Sequence, residues 1–358
     1  MRIRNIVLAC VLGAALPAVA GPRYTVTPLP VGTNPTGINS AGQISGDFGT
    51  VAGRRGFIWS AGSLVQIGTF GGENSMATGI NSSGHAVGYA SLPSGDSHAF
   101  VFANGVLTDL GVFGGANSFG SAINNRGQVA GQFLDATPNY RAFVHSGGVA
   151  TDLGTLGGSF AYGAGINNLG HVVGGSALDD ASPFLSHAFV YRDGVMTDLG
   201  TLGGSYSLAT SISDNGLIAG HAWVDGSEHA FLYVDGVMRD LGTLGGRRSF
   251  AYGINGAGQV VGNSNDVEDF NYYAFLYEGG AMLNLNGLID PALGWTLHSA
   301  IGINDSQQIA AYGCRGEACG AVLLSVAAPV PEPGTLALLL AGLGVLSARR
   351  FSAAYRRA

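Results

Sequence analysis

Lysine is missing from this 358-residue chain, and all sixteen basic residues are arginine. Schiff-base and lysine-nucleophile chemistry are therefore excluded. Charge of any sign is sparse, at 11% of residues, and between residues 21 and 331 ten arginines stand against 22 carboxylates, leaving that body near −12. Nucleic acid is not an expected partner, because its phosphates call for a basic surface. Cysteine is scarce too. Cys10 lies near the N-terminus, and only Cys314 and Cys319, in "GCRGEACG", belong to the body. No His or second Cys pair stands beside them to complete a zinc set, so in an exported chain they are expected to form a disulfide across a hairpin loop. The body also lacks any sustained helical period.

The two ends read as addresses. Arg2 and Arg4 precede an apolar run from Ile6 to Leu16, and Ala18-Val19-Ala20 offers a small-x-small cleavage site, so residues 1–20 are expected to be a signal peptide. A lipobox at Cys10 competes, but only five residues separate it from Arg4, too few for an apolar core. The last residues read "VPEPGTLALLLAGLGVLSARRFSAAYRRA": structure breakers, an apolar stretch from Thr335 to Ala348, then four arginines. That stretch is short against the roughly 20 residues of a full span, and the arginines after it would stay in the cytoplasm.

What the chain has in quantity is glycine, 60 residues of it, distributed in a repeat. "GIN-x-x-G-x-V-x-G" recurs with its Ile at 38, 80, 123, 166, 212, 254 and 303, at spacings of 42 to 49 residues. A second landmark is an aromatic in "HAF", at Phe57, Phe100, Phe143, Phe189, Phe231 and Phe275, with a degenerate seventh copy around Ala321. Such periods belong to propeller blades. Each unit holds four short apolar stretches parted by turns, in the fourth unit "YGAGIN", "HVVGGS", "HAFVYR" and "VMTDLG". Asn-x-x-Gly and Asp-Gly turns tolerate positive φ, so each unit is a four-stranded antiparallel sheet.

The "DLG" type of strand is short by one at the C-terminal end, while "RYTVTPLPVG", residues 23–32, precedes the first unit with that pattern. The expectation is therefore an all-β fold, a seven-bladed β-propeller of four-stranded blades closed by the N-terminal strand pairing into the last blade. An open solenoid would want polar caps at both ends. Closure by a fourth-type strand makes that strand the outer one and puts the Gly-Ile-Asn strand on the central channel. The Asn-x-x-Gly and Asp-Gly turns then share one face, and the second-to-third-strand loops share the other with the blade crossings. The domains expected are a signal peptide (1–20), the propeller (21–327) and a C-terminal signal (328–358).

At Pro331-Glu332-Pro333, the apolar stretch and the Arg-rich end, the sequence resembles a PEP-CTERM sorting signal. That resemblance implies a Gram-negative cell, recognition and cutting by an exosortase-type enzyme, a membrane association through the C-terminal helix before processing, and display at the surface or in the extracellular matrix. A plain membrane anchor is the alternative. The repeated "HAF…DLGTLGG…GIN" unit is similar to the HAF family of extracellular repeats over most of residues 24–325. It implies an exported repeat protein and supplies no catalytic residues.

His98, His187 and His229 are replaced in other units by Arg55, Arg141 and Tyr273, an exchange that neither metal ligation nor base catalysis survives. Asp109, Asp152, Asp198 and Asp240 give way to Gln66 and Asn284, so acceptor geometry matters there more than charge. The Gly-Gly pairs lead into strands and cradle no phosphate. Binding is expected in the variable second-to-third-strand loops, at Trp223, Asp225, Glu228, Asp266, Glu268, Asp269 and Tyr272. Aromatic platforms with carboxylates suit sugar rings, and clustered carboxylates could hold Ca²⁺; no other cofactor is expected. The function expected is a noncatalytic, monomeric scaffold or binding module engaged with exopolysaccharide or surface proteins. The alternative is a propeller enzyme acting on carbohydrate or lactone through acidic loop residues.

Overall fold

The computed structural model describes residues 23–328, except 138, 182–184 and 269. The expected signal peptide (1–20) and residues 329–358 of the expected C-terminal signal, with Pro331, Glu332 and Pro333 and the expected apolar helix, lie outside the described residues. Among the described residues no helix is long and apolar enough to cross a membrane.

Twenty-eight strands form seven four-stranded antiparallel sheets. Blades 1 to 6 occupy residues 33–66, 75–109, 118–152, 161–198, 207–240 and 249–284. Blade 7 takes three strands from 296–326 and its outer strand, Tyr24–Val31, from the other end of the chain. That strand runs antiparallel to Ala318–Val326 with Tyr24 opposite Val326 and Pro28 opposite Val322. Tyr24 and Leu29 are buried by the closure. The ring is thus a closed seven-bladed propeller, as the strand count implied.

Two features of the repeat explain why it is written as it is. The first is the Phe of each third strand. In blades 1 to 6 it is fully buried and lies directly opposite the last Gly of "GIN-x-x-G-x-V-x-G": Phe57 on Gly46, Phe100 on Gly88, Phe189 on Gly174. A Cβ on Gly174 would stand 1.9 Å from the Tyr162 carbonyl oxygen of the inner strand and 3.0 Å from the Phe189 ring. The glycine is a space requirement from two directions. Blade 7 meets it differently: Val322 holds the aromatic position, one residue beyond the Ala321 anchor of the sequence pattern, and it faces Ala311. Its inner strand carries a second register shift that the other blades lack, so the backbone there is displaced where the extra Cβ sits.

The second feature is the Asn of Gly-Ile-Asn. Its carboxamide oxygen caps its own turn, Asn39 Oδ1 accepting from the N–H groups of Ala41 and Gln43. Its Nδ2 donates to the Asn carbonyl of the next blade: Asn39 to Asn81 at 2.8 Å, Asn81 to Asn124 at 3.1 Å, Asn124 to Asn167 at 2.9 Å, and Asn304 back to Asn39 at 2.9 Å. These buried bonds clasp the ring around its axis. Blade 5 has Ser213 here, and Asn215 makes the link instead, to the Gly256 carbonyl at 2.9 Å.

The His at the head of "HAF" is held by the Asp of the outer strand. His98, His187 and His229 each place Nδ1 2.8 Å from Asp109, Asp198 and Asp240, and Arg141 pairs with Asp152 at 3.0 Å. The same carboxylates accept the N–H two residues on, as Asp198 does from Gly200 at 2.7 Å. These pairs pin the short outer strand and its exit turn.

Candidate functional site

The inner strands converge on a polar axis, whose mouth at the inner turns is a cavity of about 260 Å³ lined by the six Ile-Asn steps and by Ile212-Ser213 of blade 5. Its Asn side chains hold neighbouring blades together. A cavity of different character, about 420 Å³, opens on the opposite face between blades 4 and 5. Phe160 and Tyr162 come from the foot of the inner strand of blade 4, Ser186 from the start of its third strand, Ser205 and Tyr206 from the crossing into blade 5, and Trp223 and Glu228 from the second-to-third-strand hairpin of blade 5.

Local sequence makes this mount rigid. In the crossing "GTLGGSYS", Gly203 has φ +107°, and Gly204 packs so closely on blade 5 that a Cβ would lie 2.6 Å from the Cβ of Trp223. Gly204 N–H donates to the Trp223 carbonyl at 3.1 Å, and Trp223 N–H donates to the Tyr206 carbonyl at 2.8 Å. The indole is thus anchored from both sides of its own peptide while its ring stays 43% exposed. Ser186 bridges to Tyr206 across the blade boundary, and its buried hydroxyl has no hydrogen-bond partner.

Burial holds the Tyr162 hydroxyl strongly on its neutral side, with Tyr206 beside it adding to the rise. Burial likewise raises Tyr206, and the Glu228 carboxylate adds to that rise. From Tyr206 a line of rings leads outward: His221 at 5.9 Å, Phe250 5.1 Å further and edge-on, then Tyr272 at 6.2 Å. His221 is buried and its Nδ1 has no partner.

Burial pushes the His221 imidazole down to about 4 from its usual 6.5. Between those values the unfolded chain binds a proton that the folded chain refuses, so stability is full above the unfolded value and falls as the pH drops toward 4. The expected loss is about 3 kcal/mol. His221→Phe keeps a ring in the stack and removes the titration. Urea unfolding at pH 7.5 and pH 4 should show the native chain losing that much more than the variant; parallel losses would contradict the assignment.

The loop candidates separate cleanly. Trp223 and Glu228 meet in the cavity. Asp225 sits at φ +48° in the Asp225-Gly226 turn at the tip of the same hairpin. Asp266 accepts the Glu268 N–H at 3.1 Å within its own turn, and Glu268 is exposed on the rim. Tyr272 joins through the line of rings, and Asp269 lies outside the described residues. Among the described residues no three His, Cys, Asp or Glu side chains gather as a metal set would require. Cys314 and Cys319 face each other across the hairpin of the last two strands of blade 7 and are joined as a disulfide. The loop reading missed Phe160, Tyr162, Tyr206 and Ser186. Their signal was the aromatics just past the crossings, in "GGSFAYG" and "GGSYSLAT".

The PEP-CTERM protein-sorting motif matches residues 329–357. That motif implies recognition by an exosortase, export, and a surface or extracellular location in a Gram-negative bacterium. No curated protein matches the chain. Among solved structures, the β-propeller domain of the Trilobed protease from Pyrococcus furiosus is similar at TM-score 0.58 and 8% identity, over 83% of this chain and 94% of that one. A puromycin-hydrolyzing peptidase of Mycobacterium tuberculosis is similar at TM-score 0.55 and 10% identity, over 87% of this chain but only 56% of that one. YCF48 bound to D1 peptide is similar at TM-score 0.53 and 9% identity, over 89% of this chain and all of that one. At such identities the likeness concerns the fold alone. The chain therefore carries an exosortase sorting motif behind a seven-bladed propeller.

Proposed function

We propose that the propeller is a noncatalytic binding module, displayed at the cell surface by its sorting signal, that holds a component of the exopolysaccharide matrix in the cavity between blades 4 and 5. One observation carries this reading: of the aromatic and acidic loop residues, Trp223 and Glu228 converge with Phe160, Tyr162 and Tyr206 into one concave site on a rigid mount. Ligand sites are concave, mostly apolar and fixed by a few polar groups. Among the described acidic candidates Glu228 alone enters the cavity, whereas two-carboxylate glycoside chemistry needs a facing pair. The remaining acids decorate hairpin tips, where they keep the displayed surface anionic and soluble.

The test is a binding isotherm of the chain against a panel of bacterial exopolysaccharides, repeated with Trp223→Ala. Saturable binding weakened at least tenfold by the substitution is the expected result, since a central aromatic anchor carries roughly 2 kcal/mol or more of such an interface. Binding that survives unchanged would place the site elsewhere.

A further inference from the structure

We infer that the group the blade 4/5 cavity is built to take is an alkylammonium cation, such as a trimethylammonium substituent on a surface glycan. The inference rests on the reading of this cavity as the binding site and names the chemistry it selects.

Among the described residues, four aromatics, Phe160, Tyr162, Tyr206 and Trp223, line a space that also contains one carboxylate, Glu228. Aromatic faces carry a negative quadrupole that attracts an organic cation, and a quaternary ammonium loses little on leaving water. The carboxylate balances the remaining charge. No arginine lines the cavity, and the surrounding body is strongly anionic and free of lysine, so the long-range field favours cations as well.

Hydrogen-bond supply decides between a cation and a bare sugar ring. A pyranose brings several hydroxyls, and each one buried without a partner costs about 1–3 kcal/mol. Against that demand, the described lining offers the hydroxyls of Ser186 and Ser205, the Tyr162 and Tyr206 phenols, the Trp223 indole N–H and Glu228, each at a fixed position that a ring hydroxyl would have to meet. A trimethylammonium group has no donors to satisfy, and the adjoining hydroxyl or ester oxygen of its carrier can meet the unpartnered Ser186 hydroxyl.

Titration calorimetry with choline and with its neutral carbon isostere, 3,3-dimethylbutan-1-ol, separates charge from shape. Choline is expected to bind saturably and the isostere at least about tenfold more weakly. Glu228→Gln should weaken choline about tenfold and leave the isostere unaffected. Thermal unfolding of the variant, compared with the native chain, confirms that the fold is retained. Equal binding of the two probes, or no binding of choline, overturns the inference. A glycan carrying phosphocholine is the second arm: tighter binding than free choline marks a glycan-borne cation, and equal binding marks the free cation as the ligand. If the polysaccharide panel binds through Trp223 while choline does not, the binding module stands and only its cation chemistry falls.

Discussion

Removing residues 24–31 is expected to abolish the cooperative unfolding transition and turn the chain into an associating species. The reason is the edge it uncovers. The strand Ala318–Val326 would lose its partner along the whole register from Tyr24/Val326 to Val31/Gly320, leaving an open row of backbone donors and acceptors. Such a row recruits other chains. The deletion also exposes the surface around Tyr24 and Leu29, each worth about 1.5–3 kcal/mol of burial, in a fold whose total margin is only about 5–15 kcal/mol. Tyr24 belongs to the cluster that includes Leu276, Leu285, Ile289, Leu297 and Leu324, so its loss reaches into blade 6. Sedimentation and thermal melting of the truncated chain check the point, and a peptide of residues 23–32 supplied in trans should restore the monomer. An unchanged melting midpoint without that strand would contradict the closure.

Gly174→Ala is expected to cost about 3 kcal/mol, the upper end for an added methyl in a packed interior. The clash with the Tyr162 carbonyl at 1.9 Å is with backbone, which cannot rotate away. The Phe189 ring at 3.0 Å closes the other exit. Pairing it with Phe189→Val, which imitates the Ala311 and Val322 combination of blade 7, should recover little. Blade 7 has its additional register shift in the inner strand, between Leu297 and Ser299, and blade 4 does not. Denaturant unfolding of the single and double variants measures both values. A Gly174→Ala chain as stable as the native one would show that the glycine records local turn chemistry and no space limit.

The fold was legible because its constraints are local and repeated. Gly opposite Phe in blades 1 to 6, Asn closing the inner turn in every blade but the fifth, and a positive-φ pair ending in Gly at the third-to-fourth-strand turns of blades 1 to 6 restate strand positions from unit to unit, and a missing outer strand at one end is visible as a surplus at the other. The cavity was half legible for a matching reason. Trp223 and Glu228 stand out because they interrupt the repeat within a variable loop. Phe160, Tyr162 and Tyr206 sit inside the repeated frame, at positions that blade 2 fills with Asn74 and Met76, so they read as ordinary strand residues. Their convergence depends on the blade 4 to blade 5 angle and on the close Gly204 and Trp223 approach, neither of which is written in any single unit. Asp225, Asp266 and Glu268 illustrate the converse. They have the composition of a site, but Asp225 sits at positive φ at a hairpin tip, the Asp266 carboxylate accepts a backbone N–H of its own turn, and Glu268 is exposed.

The most direct measurement is a comparison of ligand affinity between two sets of variants, using whichever exopolysaccharide the native chain binds. One set alters the cavity, Trp223→Ala and Glu228→Gln; the other neutralises the rim, Asp225→Asn, Asp266→Asn and Glu268→Gln. Loss of about tenfold or more in the first set, with the second set within about twofold of the native chain, is the result expected of a single aromatic cavity. Equal losses in both sets, or a loss confined to the rim, would contradict it and assign binding to the acidic loops as a whole.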